Sequence, residues 1–150
     1  MNSFLENISK IILRDLDVLE KEIALYPTTD SIWMVKGEIK NSAGNLALHL
    51  CGNLQHFIGA VLGNSGYIRD REKEFSLKNI SAKDLVLEII KTKEAIRNTL
   101  PKLDHASLEK EYPEKVFANS VTTQYFLIHL SAHLGYHLGQ VNYHRRLVMS

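Results

Sequence analysis

The sequence predicts an all-helical fold, an antiparallel four-helix bundle formed by residues 1–150 as a single domain. Three observations lead to it. Apolar residues return every three or four positions over long stretches, the period of a helix with one buried face. Residues that cap or break helices bound those stretches. No segment alternates apolar and polar residues as a half-buried strand would, and there is no internal repeat or low-complexity tract. Four long helices of similar length pack most simply as a bundle.

The first helix is expected over 3–26, with Phe4, Leu5, Ile8, Ile11, Ile12, Leu16, Leu19 and Ile23 as its apolar stripe. Pro27 and the polar PTTD stretch stop it. A connection containing Trp33, Gly37 and Glu38 leads to Asn41 or Ser42, either of which can cap a second helix that ends near Gly63. The charged segment YIRDREKEFSLKN lacks apolar periodicity and reads as a surface loop. Ser81 caps the third helix, whose stripe is Leu85, Ile89, Thr92, Ile96 and Leu100, and Pro101 closes it. A polar connection with one short helix near 107–112 reaches Asn119 and Ser120, and the fourth helix is expected over 121–148. Ala132, Gly135 and Gly139 recur along it at steps of three and four. Glycine inside a helix costs about 1 kcal/mol against alanine, so another backbone is expected to come close along that line.

A chain of 150 residues with 45% hydrophobic and 23% charged residues has the material for a core that needs no disulfide. Its net charge of +1, with acids and bases interleaved, offers no field for a phosphate backbone or an anionic membrane, so no nucleic-acid or membrane partner is expected. His144, Arg145 and Arg146 in the last turn of a helix complement its dipole. Cys51 is the one cysteine, which excludes an internal disulfide, a thiolate zinc cage and a Cys-x-x-Cys pair, and fits a reducing cytoplasm. Glu6, Asp15, Asp17 and Glu20 interrupt the N-terminal region, which therefore does not read as a signal peptide.

Six of the seven histidines fall on two helices: His49 and His56 on the second, and His129, His133, His137 and His144 on the fourth. At roughly 100° per residue, His129, His133 and His137 occupy successive turns within an arc of about 80°. His133 and His137, four residues apart, can present their nitrogens to one point as a chelating pair. On spacing alone a metal site and a pair of buried, hydrogen-bonded core histidines are both open readings. His49 is the third ligand expected, whereas His56, His129 and His144 are expected to pack. Cys51 points to nearly the opposite side of its helix from His49 and is expected as a small buried hydrophobe. Three neutral imidazoles without a fourth protein ligand leave a position for water or substrate, the pattern of catalytic zinc.

Rival chemistries lack their motifs. There is no Glu-x-x-His of a di-iron bundle, and Leu-Gly-Tyr separates His133 from His137 where a His-Glu-x-x-His protease needs its glutamate. No Gly-x-Ser-x-Gly elbow, phosphate-binding loop or dinucleotide fingerprint occurs.

The stretch HLSAHLGYHLGQVNYHRRL resembles the His-x-x-x-His-x-Gly-Gln signature in the last long helix of the DinB-like superfamily, here His133, His137, Gly139 and Gln140. The segment NSAGNLALHLCGNLQHFIGAVLGNSGYIRDREKEF is similar to a branch of that superfamily described mainly as a domain of unknown function. The resemblance implies a divalent metal held by His49, His133 and His137. It also implies an activity like that of metal-dependent transferases using low-molecular-weight thiols such as bacillithiol, mycothiol or glutathione, or of a mycothiol-dependent isomerase. Gln140, one turn beyond His137, and Asn53, one turn beyond His49, are positioned to hydrogen-bond the ligands or to cap packing and line the pocket. Arg69, Asp70, Arg71, Glu72 and Glu74 form either a solvated charged loop or a polar rim for an anionic substrate.

Two functional expectations follow. The first is a cytoplasmic enzyme with zinc or nickel on the three histidines that activates a thiol or water, a thiol transferase acting on a small-molecule electrophile or else a hydrolase. The second is a non-catalytic helical bundle that binds metal or forms a homodimer through its surface helices.

Overall fold

The structure, a computed structural model, describes residues 2–149. Four long helices carry the fold: α1 (Ser3–Ala24), α3 (Ala43–Leu54, running on as a π-helical turn, Gln55–Ala60), α5 (Ala82–Thr99) and α7 (Thr123–Val148). Three short ones sit in the connections: α2 (Thr29–Ile32), α4 (Arg71–Ser76) and α6 (His105–Glu109). Among the described residues no strand forms beyond one isolated bridge between Glu111 and Thr122. None of these helices is long and apolar enough to cross a membrane.

Local chemistry sets the helix starts. Asn2, Ser42, Ser81 and Thr122 each accept a backbone N–H of the first turn of α1, α3, α5 and α7 through the side chain, satisfying donors that a helix end otherwise leaves open. The apolar stripes expected for α1 and α5 face the core, except that Phe4 is only partly buried and Ile11 is exposed. Pro101 lies inside a closing 3-10 turn, Leu100–Lys102.

Side-chain pairs fix the direction of each helix. His49 meets His133 while Phe57 meets Phe126, so α3 and α7 are antiparallel. Gly135 lies by Asp15 and Asn142 donates to Glu22, so α7 runs parallel to α1. Gly59 lies by Ala95 and Gly63 by Thr99, so α5 runs parallel to α3. The bundle is therefore antiparallel across the α3–α7 and α1–α5 contacts and parallel across the other two. A parallel neighbour cannot follow from a tight turn. The chain from α3 to α5 must travel back along α3 before α5 begins, and this return segment is the charged stretch that contains α4.

The charged stretch is thus more than a surface loop. Asp70 caps α4, Arg71, Glu72 and Lys73 stay exposed, and Glu74 is buried against α3. The glycines of α7 also depart from expectation. Ala132, Gly135 and Gly139 are exposed, and a side chain built at Gly139 would meet nothing within 4 Å. Gly135 and Gly139 floor an open groove of about 670 Å³ between α1 and α7. Close approach occurs on α3 instead, where Gly44 lies beneath the Trp33 ring and Gly52 beneath Glu74.

At the far end of α7 the predicted cation cluster divides. His144 is buried, its Nε2–H donating to the Met34 carbonyl and its Nδ1 accepting from Tyr26. Arg145 Nε and Asn142 Nδ2 both donate to the buried Glu22. Burial pushes the Glu22 carboxyl up, but those two hydrogen bonds and the Arg145 and Arg146 charges outweigh it and hold it below its usual value. A depressed carboxyl contributes stability above its unfolded pKa, and that stability is lost as pH falls through the folded one. Glu22→Gln is expected to lower the unfolding free energy by about 1.5–3 kcal/mol at neutral pH. The difference from wild type should vanish in acid, as urea melts across pH would reveal.

Candidate metal centre

The site lies where the first half of α3 faces the middle of α7. His49, His133 and His137 each offer a ring nitrogen, and these three atoms lie within 4.8 Å of one another. His49 Nε2 and His133 Nε2 are 3.2 Å apart. Two nitrogens bound tetrahedrally at about 2.0–2.1 Å from one ion would be about 3.3 Å apart. His49 is buried, whereas His133 and His137 are half-buried, so the group has an open side.

The back edges of the rings decide what they can do. Glu74 Oε1 lies 3.0 Å from His49 Nδ1, and a carboxylate can only accept, so Nδ1 carries a proton and the neutral ring, the form that binds metal, has its lone pair on Nε2. Gln140 Oε1 lies 2.7 Å from His137 Nδ1 and does the same for that ring. His133 Nδ1 is buried without a hydrogen-bond partner. Glu74 and Gln140 thus hold the tautomers of two of the three rings, and all three rings stand within reach of one another, an arrangement suited to a cation. Burial, followed by the neighbouring His137, His49 and His129 rings and Arg69, holds His133 down at about 4. Burial also lowers His137 against the opposing bond to Gln140. Both rings are therefore neutral near pH 7, the form that binds metal.

The structure brings together the three histidines singled out in the sequence, and Gln140 accepts from His137 Nδ1 through its amide oxygen. Asn53 does not bond to His49: its Oδ1 is buried without a partner, and the place beside His49 Nδ1 belongs to Glu74. His56 lies in the π-helical turn and pairs at the surface with Glu114. His129 packs against Phe117 and Phe126. Cys51 is buried outside the cluster, its thiol pushed up by burial to about 12, which keeps it protonated and inert.

Beside His137 a groove of about 660 Å³ opens between α7 and the segment before α3. Ile39, Leu46 and Leu147 give it apolar surface, Tyr136 and Tyr143 line it along α7, and Gln140 faces it next to His137. Its size is that of an ordinary small-molecule site.

Compared with known proteins, the whole chain, residues 1–150, matches the family described as Protein of unknown function (DUF1572). The chain belongs to this family. A conserved protein from Enterococcus faecalis has a similar structure, with a TM-score of 0.81 and 18% identity, over 99% of this chain and 98% of that one. A DinB-like protein from Bacillus cereus follows at a TM-score of 0.74 and 16% identity, over 95% of this chain and 91% of that one. At such identities the likeness concerns the fold, which is all-helical and DinB-like. No curated protein matches the sequence. This DUF1572 chain carries a three-histidine group that can hold a metal ion.

Proposed function

We propose that this DUF1572 protein is a metal-dependent enzyme in which His49, His133 and His137 hold zinc or nickel and a small molecule binds in the adjoining groove. The observation that carries the reading is the convergence of ring nitrogens of His49, His133 and His137 within 4.8 Å, with Glu74 and Gln140 holding the tautomers of His49 and His137. A divalent ion on three neutral imidazoles would supply a Lewis acid with a free position that lowers the pKa of a bound thiol or water. The chain's own residues do the rest. Gln140 and Glu74 hold two imidazoles in the ligating tautomer, while Tyr136, Leu46 and Ile39 offer apolar and aromatic surface to the body of a substrate beside His137.

The reaction we favour is transfer of a low-molecular-weight thiol to a small electrophile: the thiol loses its proton, its sulfur forms the new bond, and the electrophile's leaving group departs. A cytoplasmic setting and a homodimer belong to the same reading. The solvent-open Gly135 and Gly139 groove, with Tyr136 and Tyr143 exposed beside it, offers a face for a second copy. A non-catalytic metal-binding bundle has the same ligand set and differs in having no turnover.

The test is elemental analysis of untagged protein prepared without a metal column, wild type beside His133→Ala. About one ion per chain in wild type, lost in the variant while helicity is kept, is expected of a three-histidine site. Sedimentation of the same samples gives the oligomeric state, and a screen of thiols against electrophiles follows. Absence of metal from both preparations, even after zinc is added, would sink the proposal.

A further inference from the structure

We propose that Glu74, clamped by Arg69 and seated over Gly52, is the positioning residue that keeps His49 in its ligating tautomer; this rests on the three-histidine reading above. His49 Nδ1–H donates to Glu74 Oε1 at 3.0 Å. Arg69 donates to the same carboxylate twice, Nε to Oε2 at 2.8 Å and Nη2 to Oε1 at 2.9 Å. This two-pronged fork fixes the plane of the carboxylate as well as its position. Arg69 is held in turn over the Phe57 ring, 5.6 Å from its centre. Glu74 is 6% exposed, so bulk water does not compete for these bonds.

The tautomer follows from competing contacts. Arg69 Nη2 also lies 3.4 Å from His49 Nδ1 and could donate to a lone pair there. The carboxylate is nearer, and a lone pair on Nδ1 would face it repulsively, so the proton on Nδ1 wins and Nε2 is left free. Glu74 is on the back edge of His49, and it is not one of the residues whose ligand atoms cluster. It therefore acts through His49 and is not itself a ligand.

Fold and sequence converge on this arrangement. The return segment between α3 and α5 carries Arg69 and Glu74 past α3, where Gly52, one turn beyond His49, leaves the space. A Cβ at Gly52 would stand 1.9 Å from Glu74 Oε2 and 2.7 Å from its carboxyl carbon. Phe75, next to Glu74, packs on the His49 ring at 5.0 Å and completes the restraint.

The experiment uses full-length wild type, Glu74→Ala, Glu74→Gln and His49→Ala. In metal-free protein, long-range proton–nitrogen NMR of the imidazoles is expected to place the His49 proton on Nδ1 in wild type. In Glu74→Ala it should be redistributed towards Nε2. Zinc affinity, measured by chelator competition, should fall about 10–100-fold in Glu74→Ala. Glu74→Gln keeps an acceptor of the same size but not the charge, and should fall between the two. In the His49→Ala background, removing Glu74 should change zinc affinity no further, an outcome that a general loss of packing would not give. An unchanged His49 tautomer and wild-type affinity in folded Glu74→Ala overturn the inference. Should that variant not fold, wild-type affinity in Glu74→Gln does so. If wild type binds no zinc, the metal reading fails, and the tautomer measurement alone decides the role of Glu74.

Discussion

Phe126→Ala is expected to lower the unfolding free energy by about 3–5 kcal/mol, the range for removing a large ring from a packed core. Phe126 is 1% exposed and is the point where four aromatic neighbours meet. Its ring centre lies 4.1 Å from that of Tyr112 and 5.1 Å from Phe57, with Phe117 and His129 each at 5.8 Å. These neighbours come from α3, α7 and the connection before α7, so collapse around the cavity would require several elements to move together. Tyr112 is further fixed by donating its hydroxyl to the Phe57 carbonyl at 2.6 Å. Urea denaturation is the measurement, and an unmoved midpoint would show that the cluster is not the keystone of that end. His133 is about two turns away along α7, so zinc content of the folded variant should match wild type.

Gly52→Ala is expected to couple a loss of about 1–3 kcal/mol to a fall in zinc affinity of about 10–100-fold. The new methyl would overlap the Glu74 carboxylate. The carboxylate is the softest thing in its way, being the end of a side chain, and α3 is the stiffest. Relief therefore comes from rotating the carboxylate out, which breaks its bonds to His49 and Arg69. Thermal melts and zinc competition test this together. In the double variant with Glu74→Ala the methyl has room, so the stability loss should largely disappear while affinity stays low. Additive losses would count against direct contact as the cause.

Much of the fold could be read in the sequence because its signals are local. The Ser42 and Ser81 caps, the α5 stripe and the Pro101 stop each depend on neighbours within a turn or two. The His133 and His137 pair is of the same kind. Helix direction is different: a 3.6-residue period looks the same whether a neighbour runs parallel or antiparallel, so the return past α3 was invisible. With it went the partner of His49, because Glu74 lies 25 residues on in a segment whose composition is that of a solvated loop. Asn53 was the natural candidate from helical spacing, which sees only one helix. The rule that an in-helix glycine marks a close approach was sound. It picked α7, where Gly139 faces open space, and passed over Gly52, where the contact is real.

The parallel course of α1 and α7 bears on how the protein should be handled. α1 begins at the end of the bundle where α7 begins, and α7 finishes at the opposite end, past His144 and Leu147 on the groove beside His137. A polyhistidine tag appended after α7 would emerge at the mouth of that groove, its imidazoles a few turns from the three already there. It could donate ligands to the centre, block the groove or bring nickel from the resin. A tag ahead of α1 would emerge at the other pole of the bundle, so where the tag is placed decides whether a metal assay reports the protein or the purification.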